Sequence, residues 1–528
     1  MSPGFPKIMT EDTRKIARVL ISVSDKSELS VLAEALRAHG AEILSTGGTA
    51  KFLKEAGFEV TDVSDYTEFP EMMGGRLKTL HPKIHGGILQ RRGIDEVEAE
   101  KNGIKPIDMV VINLYPFRET IAKEGVTEDE AIEQIDIGGP AMLRSAAKNF
   151  KFVTALTAIN DYKLIIEELE KFDGITLATR RKLAIEVFDK TSNYDAAIAE
   201  YLRYKGEPVE LLDLHYEKVM SLRYGENPHQ KAAFFRDPTD HFPNVTNAKV
   251  LQGKQLSYNN IIDTDAALEL VKDFDKAAAA VIKHTNPCGC ATAEKINDAF
   301  TLAFEVDPKS AFGCVIALNR ECTKEIAEYI QEHKLFVEII VATKFEKGAL
   351  EILSKKENLR LLETGELRKN PNQRNIKTVS GGILVQTADQ YIVTEKDLKT
   401  VTKKEATADQ IEAMLFARVL VKHVKSNSVV FAKTHEKGGC VATGIGAGQM
   451  SRVDAVMLAR MKGGDRIPGS VMSSDAFFPF ADSVEEAHSA GISAIIQPGG
   501  SIRDAEVISK ADELGMAMLV TGIRSFRH

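Results

Sequence analysis

Cysteine is scarce. Five occur in 528 residues, an odd number, so a disulfide framework is excluded and a reducing cytoplasm suits the chain best. Long hydrophobic runs are missing: no stretch of about 18 apolar residues exists, so no membrane span is expected. Residues Met1 to Arg18 show no apolar signal-peptide region, which also points to a cytoplasmic protein. An excess of basic charge is absent. The net charge is −8, so no global positive field invites nucleic acid, and an anionic ligand needs a local basic pocket. Short-period repeats and low-complexity segments are not visible. The remainder is ordinary: 44% hydrophobic and 27% charged residues exclude disorder as a main theme. The length holds about three to four domain-sized units.

Stock signatures fail as well. There is no GxxxxGK(S/T) phosphate loop, and Gly444-Ile445-Gly446-Ala447-Gly448 has the wrong spacing for GxGxxG. Zinc deaminases use HxE and PCxxC. Here Cys288 and Cys290 are separated by one residue, and His284 is followed by Thr285-Asn286. Four soft ligands cannot be assembled, so no metal site is expected, and the segment reads as a tight turn with small buried thiols.

Apolar runs alternate with helical periodicity along the chain. Residues 1–13 read as a loose tail, and Val19-Leu20-Ile21 as a buried strand. Leu29, Leu32, Ala33 and Leu36 fall at i, i+3, i+4 and i+7 of a helix, with Ser27 as its N-cap and Gly40 as its stop. A strand at Glu42-Ile43-Leu44 runs into Ser45-Thr46-Gly47-Gly48-Thr49 and a second helix. Further strands are predicted at Phe58–Val63, Met109–Ile112 and Phe152–Leu156. This rhythm predicts an α/β fold with a parallel, helix-flanked sheet. A boundary is predicted near Lys205-Gly206-Glu207-Pro208, giving a first domain over 14–205, a connector over 206–215 and a second domain over 216–528. The second is long enough for two subdomains. Its predicted strands are Ala277–Lys283, Phe312–Leu318, Phe336–Val341, Val429–Lys433, Ala494–Gln497 and Met516–Val520. Ala293–Phe304 and Ala406–Leu420 read as helices between them.

Three clusters carry chemistry. Ser22, Ser24 and Lys26, with Ser45, Thr46, Gly47, Gly48 and Thr49, sit where strands end and helices begin. Helix N-termini offer unpaired N–H groups to an anion, and glycine lets the backbone approach closely. Either loop alone reads equally as an ordinary capped loop; two on adjacent strands favour phosphate. The second cluster, Arg76, Lys78, His81, Lys83 and His85, places five basic or imidazole groups in ten residues between glycine pairs. A solvated basic surface needs no glycine brackets. The third is Lys283-His284-Thr285-Asn286-Pro287, after a predicted strand, where open α/β sheets bind ligands. A lone histidine there is usually structural, but a Lys-His pair at a buried strand end can be tuned for proton transfer.

At these residues the sequence resembles the bifunctional purine biosynthesis enzymes that combine AICAR transformylase with IMP cyclohydrolase. The shared motifs include Ile21–Lys26, Ser45–Thr49, Gly75–Pro82, Asn113–Phe117, Leu222–Gln230, Ser426–Ser428, Gly444–Arg452 and Ser473–Phe480. The resemblance implies a methylglyoxal-synthase-like first domain and a transformylase domain of two cytidine-deaminase-like subdomains without zinc. It implies formyl transfer from 10-formyltetrahydrofolate, a co-substrate, to AICAR, then closure of FAICAR to IMP with loss of water. No metal, nucleic acid or membrane is implied, and the family acts as a homodimer with transformylase sites at the interface. Carried over by motif, Lys78, Tyr115, Asp136 and Lys148 would close the ring, with a lysine near Asp136 keeping it ionised. Ser22, Ser24, Lys26, Ser45 to Thr49, Arg76 and Thr79 would hold the nucleotide phosphate. Without the resemblance, Lys148 reads as an exposed helix-end lysine. His284 would take the amine proton, Lys283 would stabilise the oxyanion, and Asn427 would hold the formyl group. Arg223, Tyr224, Arg452, Phe480, Arg524 and His528 would contact AICAR, and Asp482 the folate. Departures are few: Ser525 stands for a frequent histidine, Cys290 for a smaller residue, and residues 340–375 match weakly. A competing reading makes the first domain a phosphate-sensing regulatory module, which needs the phosphate loops but not Lys78, Tyr115, Asp136 and Lys148 together.

Overall fold

Neighbouring residues of one short apolar run face opposite ways, and this organises the first part of the chain. Val19 and Ile21 enter one core while Leu20 enters another, as strand geometry requires. A computed structural model describes residues 13–123, 125–203, 212 and 214–528. The chain divides into two compact units, Met1–His215 and Tyr216–His528. Of the tail expected over 1–13, residues 1–12 lie outside the described residues, as does most of the connector over 206–215, and Thr13 opens a short strand, Thr13–Arg14.

In the first unit, strands β1 (Arg18–Ser22), β2 (Glu42–Ser45), β3 (Thr61–Asp62), β4 (Met109–Ile112) and β5 (Thr154–Leu156) form a parallel sheet in the order β3-β2-β1-β4-β5. Helices α1 (Leu29–Ala38), α2 (Gly47–Glu55), α3 (Pro82–Leu89), α4 (Gly138–Lys148), α5 (Tyr162–Phe172) and α6 (Leu177–Leu202) accompany it. Leu32, Leu36, Leu53 and Ile165 fill one core, and Ile84, Leu143 and Val187 the other. All four residues of β4 are buried, as expected for a parallel strand covered on both faces. From β1 the chain moves outward to β2 and β3, then returns to β4 on the other side. That reversal opens a crevice at the carboxyl ends of β1 and β4.

Two local expectations change. The strand predicted over Phe58–Val63 contracts to β3, because Val63 opens a short helix, Val63–Thr67. Ser27 does not cap α1: its N–H donates to Asp25 Oδ1 at 2.9 Å in a local turn, and the helix starts at Leu29.

The second unit is built on a sheet of 12 strands. Its chain begins with the hairpin β6 (Glu217–Leu222) and β7 (Ala232–Arg236), then β8 (Lys249–Gln252) and α7 (Tyr258–Val271). Next come β9 (Ala277–Lys283), β10 (Asn286–Ala293), α8 (Ile296–Glu305), β11 (Cys314–Leu318), α9 (Lys324–Glu332), β12 (Val337–Ala342), α10 (Lys347–Leu353) and β13 (Arg360–Glu363). A ribbon, β14 (Arg374–Val379) and β15 (Gly382–Thr387), and the short β16 (Lys399–Thr400) precede a second run of the same kind. That run is α11 (Ala408–Lys422), β17 (Val429–His435), β18 (Gly439–Gly446), α12 (Arg452–Gly463), β19 (Val471–Ser474), α13 (Asp482–Ser489), β20 (Ala494–Gln497), α14 (Asp504–Glu513) and β21 (Ala517–Val520).

The two runs share one topology. Strand order is β10-β9-β11-β12-β13 in the first and β18-β17-β19-β20-β21 in the second, with matching directions. They join edge to edge where β10 pairs with β18 at Ala291 and Val441. The segment expected to be a tight turn with buried thiols is β10. The turn lies just before it, where His284 and Thr285 take φ of 53° and 60°. The thiols are buried as expected, and burial pushes that of Cys288 up to about 12 and that of Cys290 further still. No helix among the described residues is long and apolar enough to cross a membrane.

Candidate active sites

The first site fills the crevice between β1 and β4 with a cavity of about 620 Å³. Ser22, Ser24 and Lys26 reach it from the end of β1, and Thr46, Gly47, Gly48 and Thr49 from the start of α2. The first N–H groups of α2 have no partner within the helix, so this terminus suits an anion. Not every hydroxyl in the loops is available. Thr49 Oγ1 accepts from Val23 N at 3.1 Å and donates to Val23 O at 3.0 Å. Ser45 does not line the cavity: it is buried and donates to Ile21 O at 2.7 Å. These two side chains brace the phosphate loops.

Arg76, Lys78 and Thr79 line the same cavity, as do Tyr115 and Asp136. Lys78 Nζ lies 2.9 Å from Glu71 Oε1, and Arg76 pairs with Glu133. Both pairs are solvent-accessible, so an incoming phosphate meets weak competition. Gly75 has φ of 94°, and a Cβ there would lie 2.7 Å from Lys78 Cε. Glycine therefore lets the lysine fold back over the loop.

Asp136 Oδ1 accepts the Gly139 N–H at 2.8 Å. A Cβ on Gly139 would lie 2.4 Å from Asp136 Oδ2, so the close approach needs glycine. Burial raises the Asp136 carboxyl above its usual range, and the Gly139 and Tyr115 N–H groups pull it back. The expected neighbouring lysine is not among these influences; backbone N–H groups support the charged form instead. Lys148 is not brought to the cavity. It is exposed and ends α4, whose 11 residues run about 16 Å away from the cavity-lining glycines. Sequence reasoning missed Glu71, Glu133 and the cavity-lining Asn113. Asn113 stood inside a recognised motif; the two glutamates had no local signal.

The second set of residues begins at the turn between β9 and β10. Lys283 Nζ donates to the carbonyls of Phe312 and Gly313 at 2.7 and 3.0 Å. His284 is exposed at the turn, and the Thr285 N–H donates to Asp263 Oδ1 at 2.7 Å. Burial raises the Asp263 carboxyl, while the Thr285 N–H and the neighbouring His284 oppose that shift. Asn286 Oδ1 accepts the Lys425 N–H at 3.1 Å, which ties the turn to the segment carrying Asn427.

Asn427 is fully engaged. Its amide donates to the Gln449 and Met450 carbonyls, both at 3.0 Å, and its oxygen accepts from Arg452 at 2.8 Å. An amide has two hydrogens, so none remains here for a formyl group. Arg452 also donates to Ser474 Oγ at 2.8 Å and pairs with the buried Asp475. The C-terminal segment joins this network rather than fraying. Ser525 N donates to Asp475 O at 2.9 Å, and Ser525 Oγ accepts from Arg418 at 2.9 Å. Ser426 and Arg527 exchange bonds of 2.8 and 3.0 Å.

The other residues of this set are exposed or half-buried. Arg223 lies over the Tyr224 ring at 5.7 Å, and Arg503 over Phe480 at 4.7 Å. Asp482 begins α13 and accepts the Ser483 N–H at 2.6 Å. Arg524 covers Phe526 at 4.4 Å, and the Phe526 and His528 rings are 5.5 Å apart. Among the described residues, no group of three or more His, Cys, Asp or Glu side chains is arranged to hold a metal ion.

Residues 146–462, more than half of the chain, match the family described as AICARFT/IMPCHase bienzyme. The chain belongs to this family. Residues 28–141 match the MGS-like domain, a span that holds β2, β3 and β4 of the parallel sheet with Thr46–Thr49 and Arg76–Thr79. A solved structure titled "Crystal structure of ForH" is 36% identical, covers 36% of this chain and 99% of that chain, and has a TM-score of 0.34. Family membership makes the chain a bifunctional enzyme, with AICAR formyltransferase and IMP cyclohydrolase activities of purine biosynthesis. Its substrates are accordingly AICAR, FAICAR and a folate formyl donor. The regulatory alternative for the first domain is set aside.

Proposed function

We propose that ring closure takes place in the 620 Å³ cavity of the first unit and formyl transfer around the Lys283-His284 turn of the second. The carrying observation is the convergence of Lys78, Tyr115 and Asp136 with a glycine-rich helix N-terminus on one cavity. Ser22, Ser24, Lys26, Thr46, Gly47, Gly48, Arg76 and Thr79 hold the phosphate there. Asp136 accepts the proton that the carboxamide nitrogen loses as it bonds to the formyl carbon. A carboxyl raised by burial is the stronger base for that step. Lys78 and Tyr115 donate to the formyl oxygen, which becomes a hydroxyl. The second proton, from the formamido nitrogen, leaves with that hydroxyl as water. Lys148 is given no part in this scheme.

In the second unit, His284 takes the proton of the 5-amino group as it attacks the formyl carbon of 10-formyltetrahydrofolate; the bond from that carbon to N10 then breaks, and the proton passes from His284 to N10 as tetrahydrofolate leaves. Two carbonyls hold Lys283 and leave its third N–H for the oxyanion. Asn427 orients Arg452 instead of holding the formyl group. Arg223, Tyr224, Arg452, Phe480, Arg524 and His528 contact AICAR, and Asp482 the folate.

We further propose a cytoplasmic homodimer. Every residue of the β14–β15 ribbon is exposed, including Ile376, Val379, Ile383, Leu384 and Val385. Such a ribbon is marginal alone and gains an apolar partner from a second copy. Domains are assigned to 14–205 and 216–528, with 206–215 as connector. Limited proteolysis that cuts within the connector and leaves two resistant fragments would support this; resistance there with cutting elsewhere would not. For the sites themselves, Asp136→Asn and His284→Ala are assayed separately for both reactions. Retention of ring closure by Asp136→Asn, or of formyl transfer by His284→Ala, would remove the residue from its role.

A further inference from the structure

Asp136 is held in place by a side chain that no motif announces. Tyr194, on α6, has its phenol oxygen 2.8 Å from the Asp136 nitrogen and 2.9 Å from the Gln134 carbonyl oxygen. The Asp136 N–H donates to the phenol, and the phenol O–H donates to Gln134. The ring stands edge-on to Phe117 at 6.2 Å and packs against the core that contains Leu20, Ile84 and Leu143. Its hydroxyl is therefore delivered by a seated ring, not by a free side chain. Gln134 to Ile137 connects the short helix Glu128–Glu133 to α4. One oxygen thus satisfies two backbone groups of this connection, and the Gly139 N–H holds the Asp136 carboxylate at 2.8 Å.

We propose that Tyr194 is a positioning residue for ring closure. Its hydroxyl sets the Asp136 backbone so that the carboxyl faces the cavity in register with the N-terminus of α4. The proposal rests on the assignment of Asp136 to ring closure. Phenylalanine at 194 keeps the packed ring and removes the oxygen, so the Asp136 N–H and the Gln134 carbonyl lose their shared partner while the phosphate loops stay as they are. Misplacement of a reacting group by about 1 Å can cost up to about 100-fold in rate.

The test uses full-length Tyr194→Phe beside Asp136→Asn. Tyr194→Phe is expected to lower the kcat of ring closure by about 10- to 100-fold. KM for FAICAR should stay within about twofold and formyl transfer should be unchanged, because the two hydrogen bonds lost are to Asp136 N and Gln134 O, outside the phosphate loops. Amide exchange in the peptide over 134–139 should be slow in the wild type and faster in the variant. Unchanged kcat in Tyr194→Phe, with Asp136→Asn inactive in ring closure, overturns this proposal and spares the assignment of Asp136. Unchanged ring closure in Asp136→Asn overturns the assignment, and the proposal with it. Equal losses through kcat and KM with a lower melting temperature would mark a role in folding and also overturn it. Should Tyr194→Phe fail to fold, fast exchange of the Asp136 amide in the wild type still contradicts the proposal.

Discussion

The first unit gathers most of its candidate residues on one cavity, whereas the second leaves His284 exposed at a hairpin turn and Arg223, Phe480, Arg524 and His528 exposed elsewhere on its surface. The sheets explain the contrast. A parallel sheet with one reversal of strand order produces a crevice by itself. The second unit joins two copies of one topology edge to edge, with His284 exposed in its turn and Lys283 and Asn427 half-buried. In the proposed dimer, a second copy supplies the missing wall. The comparison teaches that ring closure should depend on one unit alone, and formyl transfer on assembly as well.

The largest expected effect concerns proton transfer in the second unit. His284→Ala should lower formyl transfer by roughly 10²–10⁴-fold and leave closure of supplied FAICAR intact. Parallel assays on one folded variant check this. Next is the buried pair beneath the open surface. Arg452→Leu leaves the Asp475 carboxylate buried without its cation, which should cost about 3–5 kcal/mol. Denaturant unfolding, followed by probes placed in each unit, should show the loss in residues 216–528 and an unchanged first unit. A matching loss in the first unit would break the comparison.

How far the two sites are legible in the sequence follows the same divide. The cavity-lining loops are contiguous, so Thr46 to Thr49 and Arg76 to Thr79 can be read locally. The order β3-β2-β1-β4-β5 follows from the strand-helix rhythm only once the return to β4 is known. Strand β10 was hidden because Asn286, Pro287 and Gly289 are turn-forming residues. In the structure Gly289 serves close packing instead: a Cβ there would lie 1.9 Å from Ala303 O in α8. The duplicated topology is carried by strand order and direction rather than by shared residues, so it left no periodic signal. Tyr194 and Asp136 are 58 residues apart, and their contact exists only after α6 packs. That Lys148 does not line the cavity is hidden for a similar reason. Motif membership says nothing about which way a helix runs from a site.

Smaller effects sharpen the account of the first cavity. Thr46→Ala removes one hydroxyl donor to an anion and should weaken FAICAR binding by about 1.5–3 kcal/mol, read by calorimetry, with formyl transfer unchanged. An equal fall in formyl transfer would assign the loop to the other site or to the fold as a whole. The smallest effect is on stability. Burial raises the Asp136 carboxyl in the folded chain, so its contribution is most favourable below the unfolded value near about 3.9 and is lost as pH rises through the folded value. Asp136→Asn should therefore stabilise the first unit slightly at neutral pH, with the gain disappearing in acid. Melting curves at both pH values check the sign.

The central claim is that each unit carries one reaction. The most direct measurement mixes full-length Asp136→Asn with full-length His284→Ala and supplies AICAR and 10-formyltetrahydrofolate. Alone, Asp136→Asn should accumulate FAICAR and His284→Ala should produce nothing. Together they should form IMP, as FAICAR released by one variant is closed by the other. Failure of the mixture to make IMP, with both variants folded, or loss of both activities in either variant alone, would contradict the account.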